Sequence, residues 1–301
     1  MPVFDRVAFV GSGLIGAGLA ATCVAHDVRT VLYTRRDVEG VQKRMDDTLN
    51  FFTENGLMAQ EQRRLADKMY RITTSVKDAV QDMPFVQESG PEKIELKRNL
   101  IHEIEEHVNP ETIIASSTSY HTCAELQEGV LYPERIICAH PWHPSYLLPL
   151  IELMCSDVTS VQTKNSVRTF YEGLGRKVVV LRKDVSGYIG NTISLAVREI
   201  AQNLVADGVC SAEDVDMTLM NGPGARMAIT GQLLTMNLGT VGGLRNHGKK
   251  FGRDENPHLE EICQSIDEEM AARPIEKGRD WESISKYRDR TLLKLMALTL
   301  K

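Results

Sequence analysis

Residues 6–16 read Arg-Val-Ala-Phe-Val-Gly-Ser-Gly-Leu-Ile-Gly, and no other stretch constrains the fold so tightly. A short apolar run of strand length stops at a glycine turn, and the turn opens into an uncharged segment of helical length, Leu14 to His26. Glycine at the first place permits a sharp turn, at the second lets a ligand reach the backbone, and at the third lets helix and strand pack closely. The turn Gly11-Ser12-Gly13-Leu14-Ile15-Gly16 therefore predicts a pyrophosphate held at the positive end of a helix, the mark of a dinucleotide-binding unit. A glycine turn in a plain βαβ unit is the alternative. The run Val7 to His26 is 20 residues without a charge and imitates a leader or a membrane span, but Gly11, Gly13, Gly16 and Gly18 argue against both.

The alternation continues. Thr30–Tyr33 is a second β-branched run, Val38–Asn55 is helical in spacing, and strand candidates follow at Pro84–Val86, Thr112–Ala115, Arg135–Ala139 and Lys177–Leu181. Strands separated by helices imply a parallel sheet covered on both faces, an α/β Rossmann domain. From Tyr188 the apolar spacing is helical nearly to the end. The chain of 301 residues thus divides into a Rossmann domain over 1–183 and an all-helical domain over 184–301. In the helical part, Ser211-Ala212-Glu213-Asp214 has capping-box form, Asn221–Gly224 reads as a loop, Gly248–Asn256 as an exposed connection and Tyr287–Leu300 as a terminal helix.

Lys and Arg total 35 against 41 Asp and Glu, a net charge of −6 without a dense basic block, which speaks against nucleic-acid and anionic-membrane partners. Six scattered cysteines contain no C-x-x-C pair, so reduced thiols in a cytoplasmic protein are expected rather than disulfides or a zinc site.

Where the second strand ends, an NAD-binding unit usually carries an acid for the ribose 2′-hydroxyl. Here stand Thr34, Arg35 and Arg36. A small hydroxyl and guanidinium groups suit a 2′-phosphate that a carboxylate would repel, so NADP is favoured over NAD. The alternative is that both arginines are the solvated start of the next helix and NAD binds without the acid.

Further segments carry a resemblance: Gln87-Glu88-Ser89-Gly90-Pro91-Glu92 with Leu96-Lys97, Ser116-Ser117-Thr118-Ser119, His140-Pro141-Trp142-His143-Pro144 leading to Leu150-Ile151-Glu152, and Gly187-Tyr188-Ile189-Gly190-Asn191. With the glycine turn they make the chain, over nearly its whole length, resemble the 3-hydroxyacyl-CoA dehydrogenase superfamily. It is most similar to the small-hydroxy-acid branch, which holds the carnitine and gulonate dehydrogenases. The resemblance implies that His140 is the general base and that Glu152, twelve residues on, holds its imidazole. Ser119 and Asn191 are implied at the substrate oxygen, Ser89, Glu92 and Lys97 beside the cofactor, and the helical domain as the homodimer contact. A surface ion pair is the other reading of Glu92 and Lys97. Two departures stand out: His143 replaces the family's asparagine, where it can contact substrate, and Thr192 replaces an arginine. His140 and His143 lack a third ligand at metal spacing, and no metal is expected.

Gly222-Pro223-Gly224-Ala225-Arg226 resembles the small-hydroxy-acid branch, and Arg226 is the candidate clamp for a free carboxylate, with a surface or capping arginine as the alternative. Trp142 and Tyr146 suit either packing or a quaternary ammonium. Together these features predict an NAD(P)-dependent oxidoreductase interconverting a small 3-hydroxy acid and its 3-oxo acid. Two alternatives are a 3-hydroxyacyl-CoA dehydrogenase and a crystallin-like protein that binds dinucleotide without turnover, the second opposed by intact His140, Glu152, Ser119 and Asn191.

Overall fold

The protein is described here from a computed structural model that covers residues 3–246 and 256–299. Its first compact unit, residues 1–195, is built on one eight-stranded sheet in the order β3-β2-β1-β4-β5-β6-β7-β8. The strands are β1 (Arg6–Val10), β2 (Arg29–Tyr33), β3 (Tyr70–Thr73), β4 (Phe85–Glu88), β5 (Ile113–Ser116), β6 (Ile136–Pro141), β7 (Leu150–Met154) and β8 (Lys177–Val180). The helices between them are α1 (Leu14–Ala25), α2 (Val38–Glu54), α3 (Gln60–Ala66), α4 (Val76–Val80), α5 (Ile94–Glu105), α6 (Cys123–Leu126) and α7 (Val161–Gly173). β1 shows why both faces are covered: Val7 and Phe9 pack with α1, α2 and α7, whereas Ala8 and Val10 pack with α4, α5 and α6. Apolar residues at successive positions leave no solvent face, as a buried parallel strand requires, and each large side chain so buried contributes roughly 1.5–3 kcal/mol.

The sheet is parallel from β3 across to β6 and then departs from the expectation. β7, which the apolar pattern did not single out because Glu152 interrupts it, pairs antiparallel with β6. β8 runs with β7 and hence against the other strands. β3 also escaped the pattern: it is a half-buried edge strand with Arg71 exposed, so its alternation is weak.

A helix α8 (Ile189–Ala206) leads from the first unit into the second, residues 196–301. There α9 (Ala212–Asn221), α10 (Pro223–Thr230) and α11 (Gln232–Leu238) precede helices over Leu259–Ala272 and Trp281–Thr299. Leu234, Leu238, Cys263, Ile266 and Ile284 form their core. Ser211 caps α9 in the expected box, accepting from the Asp214 N–H at 3.1 Å while Asp214 accepts from the Ser211 N–H at 3.0 Å. The loop expected over Asn221–Gly224 is instead a break of one residue. Pro223 occupies the first turn of α10, where its missing N–H costs nothing, and Gly224 is needed because a Cβ there would lie 2.5 Å from the Leu219 carbonyl. The last helix begins six residues before Tyr287. The stretch expected as an exposed connection lies outside the described residues apart from Asn256.

Among the described residues no helix is long and apolar enough to cross a membrane, and no group of three His, Cys, Asp or Glu side chains is placed to hold a metal. The six cysteines are unbridged. α8 buries none of its residues in this chain, and Ile189, Ile193, Val197, Ile200 and Leu204 form an exposed stripe along it.

Candidate active site

Gly11 sits at φ 109°, and a Cβ there would fall 2.5 Å from the Ser89 carbonyl, so only glycine fits between β1 and the segment after β4. A Cβ on Gly16 would lie 2.0 Å from the Gly11 oxygen, whereas one on Gly13 would meet open space. The chain is thus tight at the first and third glycines and open at the second, where a pyrophosphate would approach. α1 starts there with no side-chain cap and no acid in its first turn, leaving its N–H groups and positive dipole end to an anion. Ser12 Oγ donates to the Tyr33 carbonyl at 2.6 Å, and Arg44 Nε donates to the Ser12 carbonyl at 3.2 Å, bracing the turn from both sides. Leu14 is exposed beside the turn, and Ile15 packs on the first core.

The turn borders a cleft of about 450 Å³ that continues past Thr34 and Arg35 and is closed on the far side by Pro91 and Leu96. Thr34 is buried, and Arg35 and Arg36 are exposed without a side-chain partner among the described residues. Arg35 lines the cleft and Arg36 does not. The nearest acid, Asp37, is spent on other tasks: it caps α2 through the Gly40 N–H at 3.0 Å and pairs with Arg44 at 2.9 Å. The hydrogen bond from Arg44 holds its carboxyl below the usual carboxylate range.

Across the switch from β1 to β4 lies a buried polar group of residues. Lys97, fully buried on α5, sits 3.1 Å from Glu88 and 3.4 Å from Glu92. The pair with Glu88 is wholly buried, whereas Glu92 reaches Lys97 from an exposed position. Glu88 also accepts from the Ser116 hydroxyl and the Gly90 N–H, each at 2.5 Å. Glu92 accepts from the Thr118 hydroxyl at 2.5 Å and from the N–H groups of Ser119 and Tyr120 at 2.9 and 3.0 Å, which fixes the turn that carries Ser119. Burial pushes the Glu92 carboxyl up, but these bonds and the Lys97 charge outweigh it and hold it below the ordinary value. Ser89 Oγ is joined to Ser117 Oγ at 2.8 Å on the same edge.

The hairpin of β6 and β7 sets His140 directly opposite Glu152, so the twelve-residue spacing is the register of an antiparallel pair. His140 Nδ1 lies 3.2 Å from Glu152 Oε2, and His140 Nε2 lies 3.2 Å from Ser119 Oγ. The carboxylate takes three further donors: Trp142 Nε1 at 3.0 Å on Oε2, and the N–H groups of Ile189 and Gly190 at 3.1 and 3.0 Å on Oε1. Burial raises the Glu152 carboxyl, and the bonds from His140, Trp142 and Gly190 bring it below its ordinary value. An ionised Glu152 holds the Nδ1 proton and leaves the Nε2 lone pair free, the tautomer a general base needs. Asn191 donates to the Ser119 carbonyl at 3.2 Å, and Tyr188 stacks on the imidazole at 4.5 Å between ring centres.

Two sequence patterns cover this chain in order, that of the 3-hydroxyacyl-CoA dehydrogenase NAD binding domain over residues 6–185 and that of the 3-hydroxyacyl-CoA dehydrogenase C-terminal domain over 187–273. The chain belongs to the 3-hydroxyacyl-CoA dehydrogenase family. Among its relatives, the L-carnitine dehydrogenase of Oceanobacillus iheyensis is 31% identical over 305 residues, covering 97% of each chain. The 3-hydroxyacyl-CoA dehydrogenase of Gibberella moniliformis is 28% identical over 311 residues, 98% of this chain and 95% of its own. The 3-hydroxyacyl-CoA dehydrogenase structure from Archaeoglobus fulgidus shares the fold with a TM-score of 0.72 at 23% identity, covering 98% of both chains. The protein is accordingly an oxidoreductase acting on CH–OH groups with a nicotinamide dinucleotide.

Against that family pattern the departures have structural places. His143 is exposed and has no side-chain partner among the described residues, so it is free to meet a ligand. Thr192 donates to the carbonyl of Tyr188 at 2.6 Å, bracing a residue held at φ 51°. Arg226 lies in α10 of the second unit, exposed and likewise without a side-chain partner among the described residues. Tyr146 meets Phe51 and Phe52 edge to face at 5.7 and 6.2 Å and so belongs to the packing on α2. Sequence reasoning missed two residues of the site. Glu88 stood in a quoted motif without a role, and its signal is a carboxylate at the end of an otherwise apolar strand. Trp142 gave no sign of its bond to Glu152, which exists only once the hairpin register is known.

Proposed function

We propose that the protein is an NADP-preferring dehydrogenase of a small free 3-hydroxy acid, with His140 as general base. The observation that carries this reading is the unbroken chain of hydrogen bonds from Glu152 through His140 to Ser119. When bound, the dinucleotide supplies the hydride acceptor, and the open second glycine, the uncapped start of α1 and the cleft beside Thr34 fit it. His140 Nε2 takes the hydroxyl proton of the substrate, and Glu152 stabilises the imidazolium so formed. Ser119 Oγ, beside Nε2, steadies the oxygen as it becomes a carbonyl. Asn191 acts by pinning the backbone that carries Ser119. Unpaired Arg35 and Arg36 support the NADP preference, and unpaired, exposed Arg226 supports a carboxylate clamp on the helical unit. The exposed apolar stripe on α8 supports a homodimer.

The test is the initial rate of nicotinamide reduction with L-carnitine, L-gulonate, 3-hydroxybutyrate and 3-hydroxybutyryl-CoA, each with NAD and NADP. A free acid is expected to turn over, with NADP preferred. Arg226→Ala is expected to raise KM for that acid by roughly 10- to 100-fold, the worth of hydrogen bonds to a charged group. Turnover of the CoA ester alone, indifferent to Arg226→Ala, overturns the substrate and favours the second reading that the family relation to 3-hydroxyacyl-CoA dehydrogenases supports.

A further inference from the structure

Trp142 stands where its indole N–H can act on the His140–Glu152 pair. It donates at 3.0 Å to Glu152 Oε2, the same oxygen that His140 Nδ1 reaches at 3.2 Å. Its ring is held there by the backbone of α8: a Cβ on Gly190 would fall 2.3 Å from the indole Cζ2 and 3.1 Å from Nε1. The Gly190 N–H meanwhile donates to Glu152 Oε1 at 3.0 Å. One glycine therefore both feeds the carboxylate and seats the tryptophan.

We propose that Trp142 is a positioning residue that lowers the basicity of His140 by competing for the Glu152 oxygen that holds the imidazole. A carboxylate's capacity to accept is shared among its donors, so each added donor weakens its hold on the others. With Trp142 in place, Glu152 orients the ring but stabilises its cation less, and the base returns its proton more readily. Other ionisable groups do not compete for this task. Tyr188 stacks on the imidazole, Cys138 sits two residues back on the same face of β6, and Glu92 is taken up by Thr118, the N–H groups of Ser119 and Tyr120, and Lys97. Burial pushes both the Tyr188 phenol and the Cys138 thiol far upward, so both stay neutral at working pH. Ser119 Oγ meets the other ring nitrogen.

The inference rests on His140 being the general base, and its test separates the two. Trp142→Phe keeps the ring and removes the N–H. Gly190→Ala keeps the N–H of Trp142 but displaces its ring. In the full-length chain with ring-labelled histidine, the His140 resonance, assigned among the 8 histidines by its loss in His140→Gln, is titrated by NMR for wild type and both variants. Both variants are expected to titrate higher by about half a unit, a modest shift for loss of one competing donor. In kcat/KM profiles the same shift has opposite signs in the two directions. Oxidation, which needs the free base, falls about threefold below the limb, and reduction, which needs the imidazolium, rises about threefold above it. A merely structural Trp142 lowers both directions and leaves the titration in place. An unmoved His140 titration in folded Trp142→Phe overturns the proposal. A moved titration with an acid limb that survives His140→Gln overturns the general-base reading and leaves the role of Trp142 standing.

Discussion

The two ends of the site are built in opposite ways. At the hairpin end every functional atom is held: Glu152 is almost wholly buried with four donors, His140 has a partner on each nitrogen, and the turn of Ser119 is fixed by Glu92. At the β2 end Arg35 and Arg36 stand in solvent, held by no side chain among the described residues. Under the proposed function, the contrast follows from what each end would have to do. A proton transfer needs atoms placed before the reaction starts, because reorganising them during it raises the barrier. Distinguishing one ribose from another needs only a difference in charge, which flexible cations provide at small cost in stability. The comparison predicts large effects from the buried end and small, salt-sensitive ones from the exposed end.

The largest effect tests the preorganised end. His140→Ala is expected to lower kcat/KM about 10³-fold in both directions, within the usual range for a general base. Dinucleotide affinity, read by nicotinamide fluorescence, is expected to stay within a factor of two, because no described contact joins His140 to the glycine turn. A loss below tenfold would break the comparison, since His140 would then be one more interchangeable polar group.

The next largest effect is on stability. Lys97→Met leaves the wholly buried Glu88 charge without its cation and is expected to cost about 3–5 kcal/mol in urea unfolding, typical for breaking one side of a buried pair. Glu88→Gln added to Lys97→Met removes the stranded charge and is expected to recover much of that loss. A single variant within 1 kcal/mol of wild type would place Lys97 with the exposed cations, and the contrast would fail at its central pair.

The same contrast explains what the sequence made legible. The glycine turn, β1 and α1 were readable because their signals are local: an apolar run, a turn chemistry and an uncharged helix in succession. His140 and Glu152 were readable only as a spacing. Why twelve residues join them depends on β7 folding back on β6, and a strand with a buried glutamate at its centre looks polar to any rule based on alternation. The same reversal hid Trp142, because its partner lies on the opposing strand. Gly222-Pro223 misled for another reason: both residues favour turns, but a proline also begins helices, and the close approach of α9 to α10 decided between them. Arg35 and Arg36 can be read for charge but not yet for role, because exposed side chains without a side-chain partner among the described residues leave only their own chemistry to argue from.

That last point carries the smallest prediction. Arg35 lines the cleft beside Thr34 and Arg36 does not, so the two arginines are expected to differ. Arg35→Ala should weaken NADP about tenfold and leave NAD nearly unchanged, while Arg36→Ala should weaken NADP by about threefold or less, the usual worth of an exposed charge. Both effects should shrink as salt rises, because at 0.15 M ionic strength the screening length is only about 8 Å and nothing shields these side chains from solvent. Raising salt should leave the His140→Ala defect untouched, since that pair is buried. Equal losses of NAD and NADP in Arg35→Ala would mean that the guanidinium holds the adenosine by stacking or by the shared pyrophosphate. Any preference for NADP would then have to come from Thr34 alone, whose lack of charge admits a 2′-phosphate without attracting it.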